Sequence, residues 1–165
     1  MATINFKGNP LQTSGDLPAV GSKAPDFSLW AANLERVGLS AFAGKTVVFN
    51  IFPSIDTGIC AASVREFNKR AAARDGLTVV NVSEDLPFAQ KRFCGAEGIE
   101  NVQSLSAFRS SFSQDWGLEM LGGPLEGLSS RAIVVVDGDG TVTYTEQVPE
   151  IVQEPNYDAA LASLG

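Results

Sequence analysis

The sequence predicts an α/β fold: a central mixed sheet flanked by helices, with a β-hairpin added at the N-terminus. Short β-rich runs alternate with stretches of helical spacing, an Asp-Gly turn joins two β-rich runs near the end, and one amphipathic stretch follows. At 165 residues, 44% of them hydrophobic, the chain is long enough for one domain with its own core and too short for two. Residues 1–165 are therefore expected to form a single domain.

The elements read in order as follows. TINFKGNPLQT, from Thr3 to Thr13, has two strand-like pieces around Gly8-Asn9 and predicts the N-terminal hairpin. Phe27 to Trp30 and Leu34 to Val37 read as short strands, and the turn at Ala43-Gly44-Lys45 leads into TVVFNIF, Thr46 to Phe52, a buried central strand. Pro53 ends that strand. After the polar residues Ser54 to Gly58, Ala61, Val64, Phe67 and Ala71 recur at helical spacing, with a stop near Asp75-Gly76. Leu77 to Val82 reads as a strand, and Leu86 to about Cys94 as a helix in which Pro87 is tolerated in the first turn. A short strand near Val102 and Gln103, a helix from Ala107 to Trp116 and a Gly-rich loop from Gly117 to Ser130 come next. Ile133 to Val136 and Thr141 to Val148, joined by Asp137-Gly138-Asp139-Gly140, form a hairpin, and Asn156 to Leu164 a closing helix. This order is that of a thioredoxin-like fold, which does not by itself fix a function.

Composition removes several classes of function. Twelve Lys and Arg against nineteen Asp and Glu leave a net charge of −7, which repels nucleic acid and anionic membrane surfaces. The first twenty residues lack the basic and apolar regions of a signal peptide, and no eighteen apolar residues run together, so a cytoplasmic location is expected. The absence of His removes Cys-His and Ser-His-Asp catalysis and most zinc and haem sites. Gly138-Asp139-Gly140 lacks the length and terminal Glu of a calcium loop, and reads as a turn. Two cysteines, Cys60 and Cys94, are too few for a disulfide framework; in a reducing compartment they are inert or redox-active.

Cys60 falls where a buried strand gives way, through a short loop, to the first turn of a helix. Unpaired backbone N–H groups collect there and favour a thiolate. Lowering a thiol pKa from ~8.5 to ~6 raises the ionised fraction at neutral pH from ~3% to ~90%, a gain of about thirtyfold. That gain is too small for efficient attack on an O–O bond, particularly since nucleophilicity falls with pKa. Donors aimed at the departing oxygen must supply the rest. Thr57, three residues before Cys60, offers a hydroxyl, which is also a natural helix cap. Pro53 has no N–H and a fixed φ, so it can form a dry wall over the sulfur. An arginine suits both the thiolate and the leaving oxygen.

PSIDTGIC, Pro53 to Cys60, has the P-x-x-x-T-x-x-C spacing of the peroxiredoxin active-site loop. Together with NIFPSIDTGICAASVREFN, DLPFAQKRFCGAEGIENV and GPLEGLSSRAIVVVD it resembles the bacterial thiol peroxidase branch of the atypical two-cysteine peroxiredoxins, over nearly the whole chain. The resemblance implies that Pro53, Thr57, Cys60 and Arg131 match the family's proline, threonine, peroxidatic cysteine and arginine, and Cys94 its resolving cysteine. It selects Arg131 over Arg65 or Arg109, which spacing does not. It implies a thioredoxin-like homodimer without metal or organic cofactor, acting on hydrogen peroxide and on alkyl or lipid hydroperoxides, and reduced by thioredoxin. It also implies a Cys60–Cys94 disulfide, reached by local unwinding that Gly58, Gly95 and Gly98 ease.

Two other readings stay open at this point. A thiol-disulfide carrier suits the same fold, although Thr57 occupies the place where C-x-x-C would put its first cysteine. A non-enzymatic binding module with structural thiols is the third, and Cys94, by spacing alone, fits a core position equally well.

Overall fold

The chain opens with an antiparallel hairpin, β1 (Thr3–Phe6) and β2 (Asn9–Thr13), in which Phe6 pairs with Asn9. The turn is therefore Lys7-Gly8, one residue earlier than the sequence suggests. Both turn residues take positive φ, 50° and 82°, the geometry that matches strand twist in a two-residue hairpin. Glycine adopts it freely, whereas Lys7 does so at a steric cost.

β3 (Leu29–Trp30) and β4 (Arg36–Val37) form a small antiparallel pair, shorter than expected. β5 (Val47–Ile51) is buried at every position. It is followed by α1 (Gly58–Ala72), β6 (Thr78–Ser83), α2 (Pro87–Glu97) and β7 (Gln103–Ser106). α2 runs three residues beyond Cys94 and closes on Gly98, which takes the left-handed conformation, φ 67°. This is the common glycine stop for a helix.

Beyond β7 the structure departs from the sequence reading twice. The helix expected over Ala107–Trp116 is a single turn, α3 (Phe112–Asp115). Arg109 has φ 63°, and the hydroxyls of Ser106 and Ser110 accept the N–H groups of Phe108 and Phe112, so local side-chain bonds replace a helical start. The Gly-rich loop contains β8 (Met120–Leu121), which adds a third strand to the N-terminal hairpin through Gln12 and Thr13. Two residues are too few to carry a strand period. β9 (Ala132–Val136) and β10 (Val142–Gln147) form the expected hairpin, and α4 (Tyr157–Ala162) is capped by the Asn156 side chain.

In this computed structural model, which describes residues 1–164, the main sheet has the order β10-β9-β5-β6-β7-β3-β4. Gly165, the last residue of the expected domain, lies outside the described residues. β5, β6 and β7 are parallel to one another, and the other pairings are antiparallel, so the sheet is mixed as expected. Alternation along β5 sends Val47, Phe49 and Ile51 to one core with Phe27, Phe112 and Trp116, and Val48 to a second with Phe67, Ile133 and Val135. No helix among the described residues is long and apolar enough to cross a membrane.

Glu84, at the end of β6, is half-buried. Burial pushes its carboxyl above the ordinary value, and the carboxylates of Glu119 and Asp85 add to this, against a hydrogen bond from Ser113 at 2.6 Å. A carboxyl with a raised folded pKa favours the folded state below its unfolded pKa, and that stability is lost as pH rises through the folded value. Urea unfolding of Glu84→Gln is expected to show a smaller loss of stability than wild type as pH rises from about 4.5.

Candidate active site

β5 delivers the chain to Pro53, and the loop that follows is held by one carboxylate. Asp85, two residues past the end of the neighbouring parallel strand β6, accepts the Ser54 hydroxyl at 2.8 Å and the Ile55 N–H at 2.7 Å. The Ser83 hydroxyl, at 2.6 Å, fixes the same carboxylate. These bonds set where α1 starts.

Thr57 is the N-cap of α1. Its hydroxyl accepts the Cys60 N–H at 3.2 Å and donates to the Ser54 carbonyl at 3.2 Å. Cys60 thus sits in the first helical turn with its side chain fully buried. A second set of bonds ties this turn to the sheet from below. The Ser63 hydroxyl donates to the Cys60 carbonyl at 2.8 Å and accepts Asn50 Nδ2 at 3.2 Å, and Asn50 Nδ2 also donates to Asn81 Oδ1 at 3.0 Å. Asn50 and Asn81 are neighbours across β5 and β6, and both are buried.

Arg131 immediately precedes β9. Pairing of Ile51 with Ala132 and of Asn50 with Ile133 carries it past the end of β5, on the face where α1 packs. Arg131 as a whole is 1% exposed. Nη2 donates to Cys60 Sγ at 3.2 Å and Nε to the Ile151 carbonyl at 2.9 Å, while Nη1 has no partner among the described residues. No carboxylate pairs with Arg131 among the described residues. A buried cation without a counter-ion is costly, and here the group facing it is a thiol. One guanidinium nitrogen, Nη1, is left without a partner among the described residues.

Arg131 also lines a pocket of about 370 Å³ together with Pro53, Thr57 and Gly58. Its outer walls are apolar: Phe6 from the hairpin, Leu125 and Leu128 from the loop after β8, and Ile151 with Val152. Pro53, Thr57 and Arg131 line this pocket, and Cys60, bonded to Thr57 and Arg131, is fully buried beside them and is not itself among the lining residues. Cys94 does not line this pocket. It lies half-buried on α2, with Sγ 3.6 Å from Ser104 Oγ, and packs against the same apolar cluster that contains Cys60, Phe52 and Val64. Both thiols are free.

Residues 19–161 match the Redoxin family model. The chain belongs to the Redoxin family. Over its full length this Redoxin is 60% identical to a thiol peroxidase of Mycobacterium tuberculosis, with 99% of that protein covered. It is 53% identical to a thiol peroxidase of Corynebacterium glutamicum over 99% of each chain. Among solved structures, a peroxiredoxin-like protein from Aquifex aeolicus superposes with a TM-score of 0.94 at 36% identity, covering 99% of this chain and 96% of the other. A thiol peroxidase from Chromobacterium violaceum, at 23% identity, shares the fold with a TM-score of 0.91, covering 98% of this chain and 94% of that one.

Sequence reasoning missed the residues that support this Redoxin site. Asp85 was visible only as the last member of a polar Ser83-Glu84-Asp85 run, and Asn50 as the one polar residue in VVFNI. The Ile151 carbonyl carries no side-chain signal at all. Replacing Asp85 by Ala removes two bonds from the loop, and hydrogen bonds to a charged acceptor contribute about 1.5–3 kcal/mol. Asp85→Ala is expected to lower unfolding free energy by about 2–3 kcal/mol, read by urea titration. Faster amide exchange at Ile55 should accompany it.

Proposed function

We propose that this chain, a peroxiredoxin-type thiol peroxidase, reduces hydrogen peroxide and alkyl or lipid hydroperoxides through Cys60, with Cys94 and thioredoxin completing the cycle. The observation that carries the reading is the Arg131 guanidinium: buried, without a carboxylate partner among the described residues, 3.2 Å from Cys60 Sγ, with Nη1 unpartnered, on a residue that lines the pocket. The full-length likeness to thiol peroxidases supports the same chemistry.

In the proposed first step Cys60 thiolate attacks the terminal oxygen of the hydroperoxide. The S–O bond forms, the O–O bond breaks, and the departing alkoxide or hydroxide takes a proton to leave as alcohol or water. Cys60 is oxidised to the sulfenic acid. Arg131 stabilises both the thiolate and the charge on the departing oxygen. Thr57 contributes by turning its hydroxyl from the Ser54 carbonyl toward the peroxide, while its oxygen still caps the Cys60 N–H. Pro53 closes the wall without offering a donor. The apolar outer walls suit an alkyl or lipid chain.

In the second step the Cys94 thiol condenses with the sulfenic acid, releasing water and forming the Cys60–Cys94 disulfide. The two cysteines lie on different helices, so the first turn of α1 and the Cys94 segment unwind, with Gly58, Gly95 and Gly98 easing the change. Thioredoxin reopens the disulfide by thiol exchange. We further read residues 1–165 as one cytoplasmic domain that pairs with a second copy. Exposed Leu86, Phe88 and Phe108, beside Trp30 and Leu34, form the apolar surface available to that copy.

Stopped-flow oxidation by hydrogen peroxide and cumene hydroperoxide tests the first step. Cys60→Ser is expected to abolish it, and Arg131→Met to slow it about 10²–10³-fold. Retained activity in Cys60→Ser overturns the assignment. Cys94→Ser is expected to consume one equivalent of peroxide at the normal rate and then fail to turn over with thioredoxin. For the assembly, Phe88→Glu with Phe108→Glu should shift the protein to monomer in analytical ultracentrifugation; an unchanged distribution places the interface elsewhere.

A further inference from the structure

The Lys7-Gly8 turn of the N-terminal hairpin is clasped by a carboxylate from the far end of the chain. Glu150 Oε1 accepts the Lys7 N–H at 2.8 Å and Oε2 accepts the Gly8 N–H at 3.1 Å. Oε1 also accepts the Val152 N–H at 3.4 Å. The turn is one in which Lys7 holds a left-handed φ of 50°, a conformation that needs outside support in a residue with a Cβ. Two bonds from one carboxylate provide it.

The residues on either side of Glu150 are fixed by the same hairpin. Asn5 N–H donates to the Pro149 carbonyl at 2.8 Å, and Ile151 N–H donates to the Asn5 carbonyl at 2.9 Å. The Ile151 side chain is buried with Ile4 and Met120. Its carbonyl is the oxygen that receives Arg131 Nε at 2.9 Å. A continuous path of bonds thus runs from the Lys7-Gly8 turn through Glu150 and Ile151 to the guanidinium that faces Cys60. Glu150 itself is not among the pocket-lining residues, whereas Phe6, Lys7, Ile151 and Val152 are.

We propose that Glu150 is a positioning residue for the peroxidase reaction: by clasping the Lys7-Gly8 turn it fixes the Ile151 carbonyl, and through it the orientation of Arg131. The inference rests on the role proposed above for Arg131. The N-terminal hairpin is on this account part of the catalytic apparatus. The carboxylate needed for the clasp is favoured in place: burial alone would raise the Glu150 pKa, but the three backbone N–H bonds hold it below its ordinary value. A guanidinium anchored through Nε has its two Nη donors aimed by that anchor, and small misplacement of a catalytic donor is costly in rate.

The test is a double-mutant cycle on the second-order rate constant for hydroperoxide, comparing wild type, Glu150→Ala, Arg131→Ala and the double variant. Glu150→Ala is expected to slow oxidation about tenfold. In the Arg131→Ala background the same change should cost less than about twofold, because a residue that acts through Arg131 has nothing left to position. Glu150→Gln, which keeps the Oε1 bonds but turns an N–H donor toward the Gly8 N–H, should fall between wild type and Glu150→Ala. It also serves in the cycle if the Ala variant does not fold. An equal loss in both backgrounds, or no loss in wild type, overturns the proposal. If Arg131→Ala alone leaves the rate unchanged, the failure lies instead with the role of Arg131.

Discussion

The Arg131 side chain carries a permanent charge into the interior, and no carboxylate meets it there. Such a group is costly to bury, and less so where some of its donors are used and something nearby accommodates its charge. Here one nitrogen is anchored on a backbone carbonyl, one faces Cys60 Sγ, and one has no partner among the described residues. Much of the local architecture serves this arrangement. The antiparallel β5–β9 register carries Arg131 past the end of the strand that leads to Cys60, and the segment around Ile151 supplies the anchor. The hairpin and the loop after β8 contribute Phe6, Leu125 and Leu128 to the pocket that Arg131 lines.

Cys60 is held from two directions. Above, the Thr57 hydroxyl caps its N–H, and the Asp85 carboxylate holds the loop that brings Thr57 into place. Below, Ser63 binds its carbonyl and is itself bound by Asn50 in the middle of the sheet. The two sets differ in character. The cap is at the surface and in reach of solvent, so it opens at low cost, whereas the Asn50–Ser63 bonds are buried and strong in a low-dielectric interior. In the proposed cycle the first turn of α1 opens after oxidation, and the buried bonds oppose that opening. On the proposed cycle, the site couples a fixed geometry for peroxide attack to a turn whose release breaks buried hydrogen bonds.

Much of this was legible in the sequence because the relevant signals are local. The apolar run through Phe52, the stop at Pro53 and the three-residue spacing from Thr57 to Cys60 fix a strand, a loop and a capped helix start within a dozen residues. The hairpin of β9 and β10 was equally plain from its Asp-Gly turn. Where local chemistry was ambiguous the reading failed: serines and the left-handed Arg109 broke the helix expected after Ala107, and β8 was too short to show a period. Asp85, Asn50 and Ser63 are ordinary polar residues in sequence, and only their hydrogen bonds to the loop and helical turn that carry Cys60 distinguish them.

The sequence by itself determined the fold class and placed Thr57 and Cys60 at a helix start after Pro53, since helix capping and strand termination act over three or four positions. Its likeness to a family picked out Arg131, but nothing local to that residue did so. The tertiary structure decided that Arg131 is buried, that it faces Cys60 across 71 positions of chain, and that the Ile151 carbonyl, in a segment bonded to the N-terminal hairpin, anchors it. Contacts of that range depend on sheet register and on backbone groups present in every residue, and a sequence carries no side-chain signature for either.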